Sequence, residues 1–330
     1  MNKKSQEKFI IGGVPIPPGK SAEVSLPLSR LVTGNQMVIP LKVFHGKQRG
    51  PTMWVSSGIH GDEIQGVEII RRLMAQLDCR RLAGTVIMVP IINVFGFLSG
   101  DRYLPDRRDL NRSFPGSAKG SLAGQIAQLF MTEIVQRCDL GIDLHTGSDG
   151  RSNLPQIRAD MENPELKVLA KAFGAPVMLH SRVRDGSLRE AAAQAGTKIL
   201  LFEGGEANRF NEQAIVMAVQ GIGRILQHLG MHPWSEAWLQ AVLDEAPLER
   251  SPVFCEDSSW IRAKKSGILQ VKGELGARVA KGEELGLIYD ALGHRLSRVN
   301  ALVEGIIIGR SETPLVNRGD ALFHIAQPKT

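Results

Sequence analysis

Between residues 50 and 230, short apolar runs alternate with amphipathic stretches, and this alternation leaves the chain few architectures. Strands are predicted at 53–57, 85–90, 140–144, 176–180 and 198–202. A helix is predicted over 63–77, where Ile64, Val67, Ile70, Met74 and Leu77 share one face. A second is predicted over 120–137, with Leu122, Ile126, Leu129 and Ile134 inward, and two more fit 164–173 and 211–229. The implied class is α/β, a sandwich of helices around a mixed sheet. Ligands of such sheets bind beyond the carboxyl ends of strands. His60, His145 and Glu203 each follow a predicted strand, so a site is expected there.

The flanks read differently. Residues 1–45 alternate apolar and polar and are expected to add edge strands. The stretch from Gly13 to Gly19-Lys20-Ser21 imitates a phosphate loop, but its glycine spacing is too long and prolines fill it, so it is rejected. A polar, proline-bearing stretch at 244–252 reads as a linker. Beyond it the helical period disappears, and short apolar runs separated by glycines and charges predict a small all-β module. The expected organisation is an α/β domain over 1–245 and a β-barrel or sandwich module over 252–330. The module resembles biotinyl and lipoyl carriers but lacks a modifiable lysine at a hairpin tip, so a structural role shaping entry to the site is expected.

Composition narrows the function classes. Forty basic against 34 acidic side chains give a net charge of +6, with no basic block and only two tyrosines, which disfavours a nucleic-acid surface. Three widely spaced cysteines without a C-x-x-C pair argue against a disulfide framework or a thiolate metal site. The polar N-terminus and the absence of a long apolar run predict a cytoplasmic protein with no membrane partner.

The chemistry-bearing motif is Gly58-Ile59-His60-Gly61-Asp62-Glu63, read with Asp143-Leu144-His145-Thr146-Gly147. Two imidazoles and one carboxylate suit a catalytic zinc ion whose fourth position stays open for water. On the first turn of a helix, residues three apart point the same way, so His60 and Glu63 could grip one ion. Asp62 competes as a ligand, but a helix would turn it about 100° away from Glu63. Asp143 is expected to support the site from behind, and Asp109 with Arg108 to form a loop ion pair.

Two further segments complete an ordered set: Asp109-Leu110-Asn111-Arg112-Ser113-Phe114-Pro115-Gly116 and Phe202-Glu203-Gly204-Gly205. Together the four segments resemble the succinylglutamate desuccinylase/aspartoacylase family of the zinc carboxypeptidase clan. The resemblance covers residues 50–230 and implies a sandwich of zinc-carboxypeptidase type. It implies one Zn2+ per chain held by His60, Glu63 and His145, and Glu203 as the general base. It matches Asn111 and Arg112 to the pair that holds a substrate carboxylate, and Arg102 to the arginine that polarises the scissile carbonyl. An apolar strand before Glu203 and a glycine pair after it suggest a low-polarity setting that would raise its pKa, with Glu206 as the competing base. The expected function is a zinc-dependent amidohydrolase removing an acyl group from a small N-acylated amino acid or related amine. The alternatives are a metallocarboxypeptidase trimming a C-terminal residue, or a binding protein with a degenerate site.

Overall fold

Alternating side chains along the central strands feed two separate cores, one on each face of a large sheet. Met53 and Val55 point into one core while Trp54 between them points into the other. Val86 and Met88 likewise oppose Ile87 and Val89. The structure, a computed structural model, describes residues 6–181, 184–234 and 252–329.

The sheet has twelve strands. From one edge the order is Arg278–Val279, Gly305–Ser311, Ala321–Pro328, Val253–Arg262, Val177–His180 and Arg151–Ala159, then Lys198–Glu206, Leu140–Gly147, Gln48–Ser57, Ala83–Val89, Gln36–His45 and Lys20–Arg30. Its centre is parallel, from Lys198–Glu206 through Leu140–Gly147 and Gln48–Ser57 to Ala83–Val89. Antiparallel strands flank this centre, so the sheet is mixed. As expected from the N-terminal alternation, Lys20–Arg30 forms an edge.

Helices Gln65–Gln76, Pro164–Phe173 and Glu212–His228 cover one face, and Leu122–Glu133 with Leu188–Gln194 cover the other. Their ends follow local chemistry. Asn163 caps Glu165 and Leu166 ahead of Pro164, and Gly174 closes that helix in the left-handed region at φ 79°. Ser121 and Asn211 cap the starts of two others.

Two elements depart from the sequence reading. The helix expected over 63–77 begins only at Gln65, so His60 and Glu63 lie in the turn before it. Residues 151–159 form a central strand despite Pro155, paired on both sides. Of the predicted 244–252 linker, only Pro252 lies within the described residues.

The C-terminal strands do not stand apart from this sheet. Val253–Arg262 pairs in parallel with Val177–His180, and Gly305–Ser311 pairs with Arg151–Ala159. A separate four-stranded sheet, ordered Arg295–Asn300, Glu284–Tyr289, Gly267–Val271 and Leu315–Val316, packs over them around Ile288, Ile307 and Phe323.

One close approach holds the centre together. Trp54 and Gly141 are register partners, and a Cβ on Gly141 would lie 1.9 Å from the indole. The absent side chain lets the indole lie in the core, edge-on to Phe130. Gly141→Ala is expected to destabilise the fold at or above the top of the roughly 1–3 kcal/mol range of core overpacking. A lowered denaturation midpoint with an unchanged slope checks this.

Candidate metal centre and catalytic pocket

The loop carrying His60 and Glu63 leaves the Gln48–Ser57 strand through Gly58, at φ 62°. Gly61 then packs so closely on Gly96 that a Cβ would meet its carbonyl carbon at 1.9 Å. This contact fixes the loop against helix Val94–Ser99 and turns His60 and Glu63 toward the Leu140–Gly147 strand.

There the Glu63 carboxylate meets both imidazoles. Its Oε1 is 2.7 Å from His60 Nδ1, and its Oε2 is 2.9 Å from His145 Nδ1. The Thr146 backbone N–H donates to the same Oε2 at 3.0 Å. All three side chains are buried. Burial pushes the Glu63 carboxyl up, but the two imidazoles outweigh it and hold the group well below the usual carboxylate range. Burial pushes the His145 ring down, and the charges of Asp143 and Glu63 outweigh that and hold it well above its ordinary value.

These atoms fit a metal ion. Among the described residues, His60, Glu63 and His145 are the one group whose ligand atoms lie within 4.8 Å of one another. His145 has Asp143 Oδ2 at 2.8 Å from Nε2 and Glu63 Oε2 at 2.9 Å from Nδ1. A neutral imidazole has one N–H, so it can donate to only one of these carboxylates. A cation held by His145 and Glu63 would take the place of the second proton. Two imidazoles and one carboxylate are the donor set of an open zinc site.

Asp143 supports the site as expected, and through it the cluster reaches the core. The Trp54 indole donates to Ser56 Oγ, which donates to Asp143 Oδ1, while Asp143 Oδ2 accepts from His145. Asp109 departs from the loop pair expected with Arg108. It accepts from Arg102 at 2.9 Å and lies 3.3 Å from His60 Nε2, which has no directed hydrogen bond, while Arg108 faces Asp106.

The cluster forms one wall of a cavity of about 570 Å3 that also receives Arg102, Asn111, Arg112 and Glu203. Arg102 NH1 approaches Glu63 Oε1 to 3.6 Å. Asn111 Oδ1 accepts from the Leu188 backbone N–H, tying its loop to helix Leu188–Gln194. Glu203 lies in the Lys198–Glu206 strand, as register partner of His145. Its surroundings are polar, contrary to the sequence reading: Asn153 donates to Oε2 at 2.7 Å, and Arg158 approaches Oε1 to 3.4 Å. Both neighbours come from the unexpected Arg151–Ala159 strand. Glu206 lies past a register shift, accepting from Ser152 and lining an adjoining cavity.

Sequence reasoning missed Arg158, Arg184 and Arg189, which bring further positive charge to the pocket. Among the described residues, neither Arg112 nor Arg184 has a carboxylate within ion-pair distance. Burial, then the charges of Arg112 and Arg158, push the Arg184 guanidinium down. The C-terminal strands add Trp260, Arg262 and residues 319–321 to the far wall. The order of basic residues after Gly150 was the available signal for the arginines, but no local spacing brings them to Glu203.

Residues 49–229 match the succinylglutamate desuccinylase/aspartoacylase catalytic domain. The N-alpha-acetyl-L-2,4-diaminobutyric acid deacetylase of Halomonas elongata is 29% identical over 301 residues, spanning 88% of this chain and 86% of the relative. A succinylglutamate desuccinylase/aspartoacylase structure from Rhodobacter sphaeroides superposes with a TM-score of 0.82 at 25% identity, covering 94% of this chain and 96% of that one. The product-bound ectoine utilization protein EutE (DoeB) of Ruegeria pomeroyi has the same fold, with a TM-score of 0.81 at 24% identity over 94% and 97%. Among the described residues, no helix is long and apolar enough to cross a membrane.

The cluster predicts a linkage between protons and metal. With a raised pKa, His145 contributes stability that is complete below its ordinary 6.5 and is lost as pH rises through the folded value. Glu63, with a lowered pKa, contributes above its ordinary 4.5 and loses that only as pH falls through its folded value. Chelator-treated protein should therefore lose thermal stability as pH rises above neutrality. Added zinc should raise Tm more at about pH 8.5 than near pH 6. Melting curves at both pH values check this; an equal rise at both would contradict it.

Proposed function

This chain belongs to the succinylglutamate desuccinylase/aspartoacylase family, and on that premise we propose that it is a zinc-dependent amidohydrolase that removes an acyl group from a small N-acylated amino acid or related amine. The named relatives are amide-bond hydrolases, a deacetylase and a desuccinylase/aspartoacylase. The observation that carries the reading is the two-imidazole, one-carboxylate cluster with Glu203, a separate carboxylate, in the same cavity.

One zinc ion per chain on His60, Glu63 and His145 would, when bound, supply a Lewis acid and lower the pKa of water to about 7. Glu203 is the general base, taking a proton from the attacking water and passing it to the leaving amine, a role worth roughly 10² to 10⁴ in rate. Asn153 and Arg158 hold its two oxygens and so fix its aim. Arg102 polarises the scissile carbonyl. Asn111 keeps its side-chain N–H groups for the substrate, since its oxygen is engaged by Leu188. Arg112 binds the substrate carboxylate through its planar fork, with Arg184 adding a second guanidinium.

The sandwich is read as zinc-carboxypeptidase type, with residues 1–245 as the hydrolase unit and 252–330 as a module that lines the far wall. Three free, buried cysteines suit a cytoplasmic setting.

Glu203→Gln preserves size but cannot accept the proton. Zinc content and the melting curve should stay unchanged while turnover of an N-acyl amino acid falls by roughly 10² or more. Near-full turnover would remove Glu203 as the base, and loss of zinc would place it among the ligands instead.

A further inference from the structure

Asn153 and Arg158 both bear on Glu203, yet an unbroken strand would not place them there. They stand an odd number of positions apart, and in a regular strand such side chains point to opposite faces. A β-bulge removes the conflict. Along Lys198–Glu206, Gln156 is the register partner of Glu203 and Asn153 that of Gly205, so three steps on one strand answer two on the other. The extra residue falls at Leu154-Pro155, where a proline is tolerated because the ladder is already interrupted. The bulge reverses the alternation and turns Asn153 to the face that carries Arg158.

The strand also changes neighbours here. Residues 151–153 pair with Gly305–Ser311, and residues 156–159 pair with Val177–His180. Gln156 fills the break. It is fully buried, and its Nε2 donates to the carbonyl of Leu154 at 3.2 Å and to that of Ile308 at 3.1 Å. Its Oε1 accepts from Arg158 Nε at 3.4 Å, which leaves Nη1 of the same planar guanidinium to approach Glu203 Oε1.

The next residue of the C-terminal strand, Gly309, bears on the other partner of Glu203. Gly309 is the register partner of Asn153, and a Cβ there would lie 2.9 Å from Asn153 Oδ1. Gly305–Ser311 thus reaches both oxygens of Glu203, each through one intermediary.

We propose that the Gly305–Ser311 strand positions the Glu203 carboxylate, with Gln156 as the positioning residue toward Arg158 and Gly309 as the one that leaves room for Asn153. This rests on the reading of Glu203 as the general base. The C-terminal strands then act on the proton-transfer step as well as lining the wall.

Two variants test this. Gln156→Met keeps the volume and removes the side chain's three hydrogen bonds. Gly309→Ala adds a methyl that displaces the Asn153 amide, the free end of a side chain, so the fold should accept it. Both are assayed as zinc-loaded protein on whichever Nα-acetyl amino acid the parent protein cleaves best, beside zinc content and melting curves. Each should lower kcat about tenfold or more with KM changed less than about twofold, since a small misplacement of a reacting group is costly in rate. In a Glu203→Gln background the same substitutions should cost almost nothing, because the group they aim is already disabled. A purely structural disturbance would lower the rate alike in both backgrounds. Either variant, folded and zinc-loaded, with its full kcat overturns the proposal, as does a loss of equal size in the Glu203→Gln background. Should Gln156→Met not fold, Gly309→Ala decides by the same criteria. Failure of the parent to cleave any of the Nα-acetyl amino acids, or near-full turnover by Glu203→Gln, sinks the base reading instead. Crystal structures of the variants then judge the positioning: displacement of Asn153 or Arg158 from Glu203 supports it, and both held as in the parent overturns it.

Discussion

The site depends on the Glu63 carboxylate lying between two imidazoles. It joins the loop after the Gln48–Ser57 strand to the neighbouring Leu140–Gly147 strand, through His60 on one side and His145 on the other. A buried carboxylate is unfavourable unless paired, and here its lone pairs meet two rings and the Thr146 backbone N–H. The same atoms form a metal-ligand set, so the electrostatics that tolerate Glu63 in the interior are those that would hold a cation. Glycines make the approach possible: Gly58 turns the chain and Gly61 lets it press on Gly96.

From that cluster the pocket extends along the sheet. His145 and Glu203 are register partners on adjacent parallel strands, so the proposed ligand and the proposed base stand side by side on one scaffold. Arg151–Ala159 then places Asn153 and Arg158 on the far side of Glu203, and Val253–Arg262 brings Trp260 and Arg262 to the wall. The C-terminal strands thus contribute to the site by continuing the sheet that builds it.

What the sequence made legible was local. Periodicity located the helices Pro164–Phe173 and Glu212–His228, and apolar runs located the parallel strands, because helix and strand periods are written in consecutive residues. The four ordered motifs pointed, through the family resemblance, to residues that the fold brings to one cavity. Geometry set by distant packing was not legible. His60 and Glu63 converge from a turn, since the contact of Gly61 with Gly96 fixes that loop before a helix can begin. Pro155 and the polar residues around it hid a central strand, and with it the polar surroundings of Glu203. Arg158 and Arg184 reach the pocket through tertiary structure alone.

The proposed chemistry requires the His60, Glu63 and His145 cluster to be a zinc site. X-ray absorption at the zinc edge, with metal content measured on the same sample, tests it most directly. The prediction is one zinc per chain, surrounded by nitrogen and oxygen ligands including two imidazoles, with no sulfur. A sulfur ligand, or no stoichiometric metal after zinc is supplied, would contradict it.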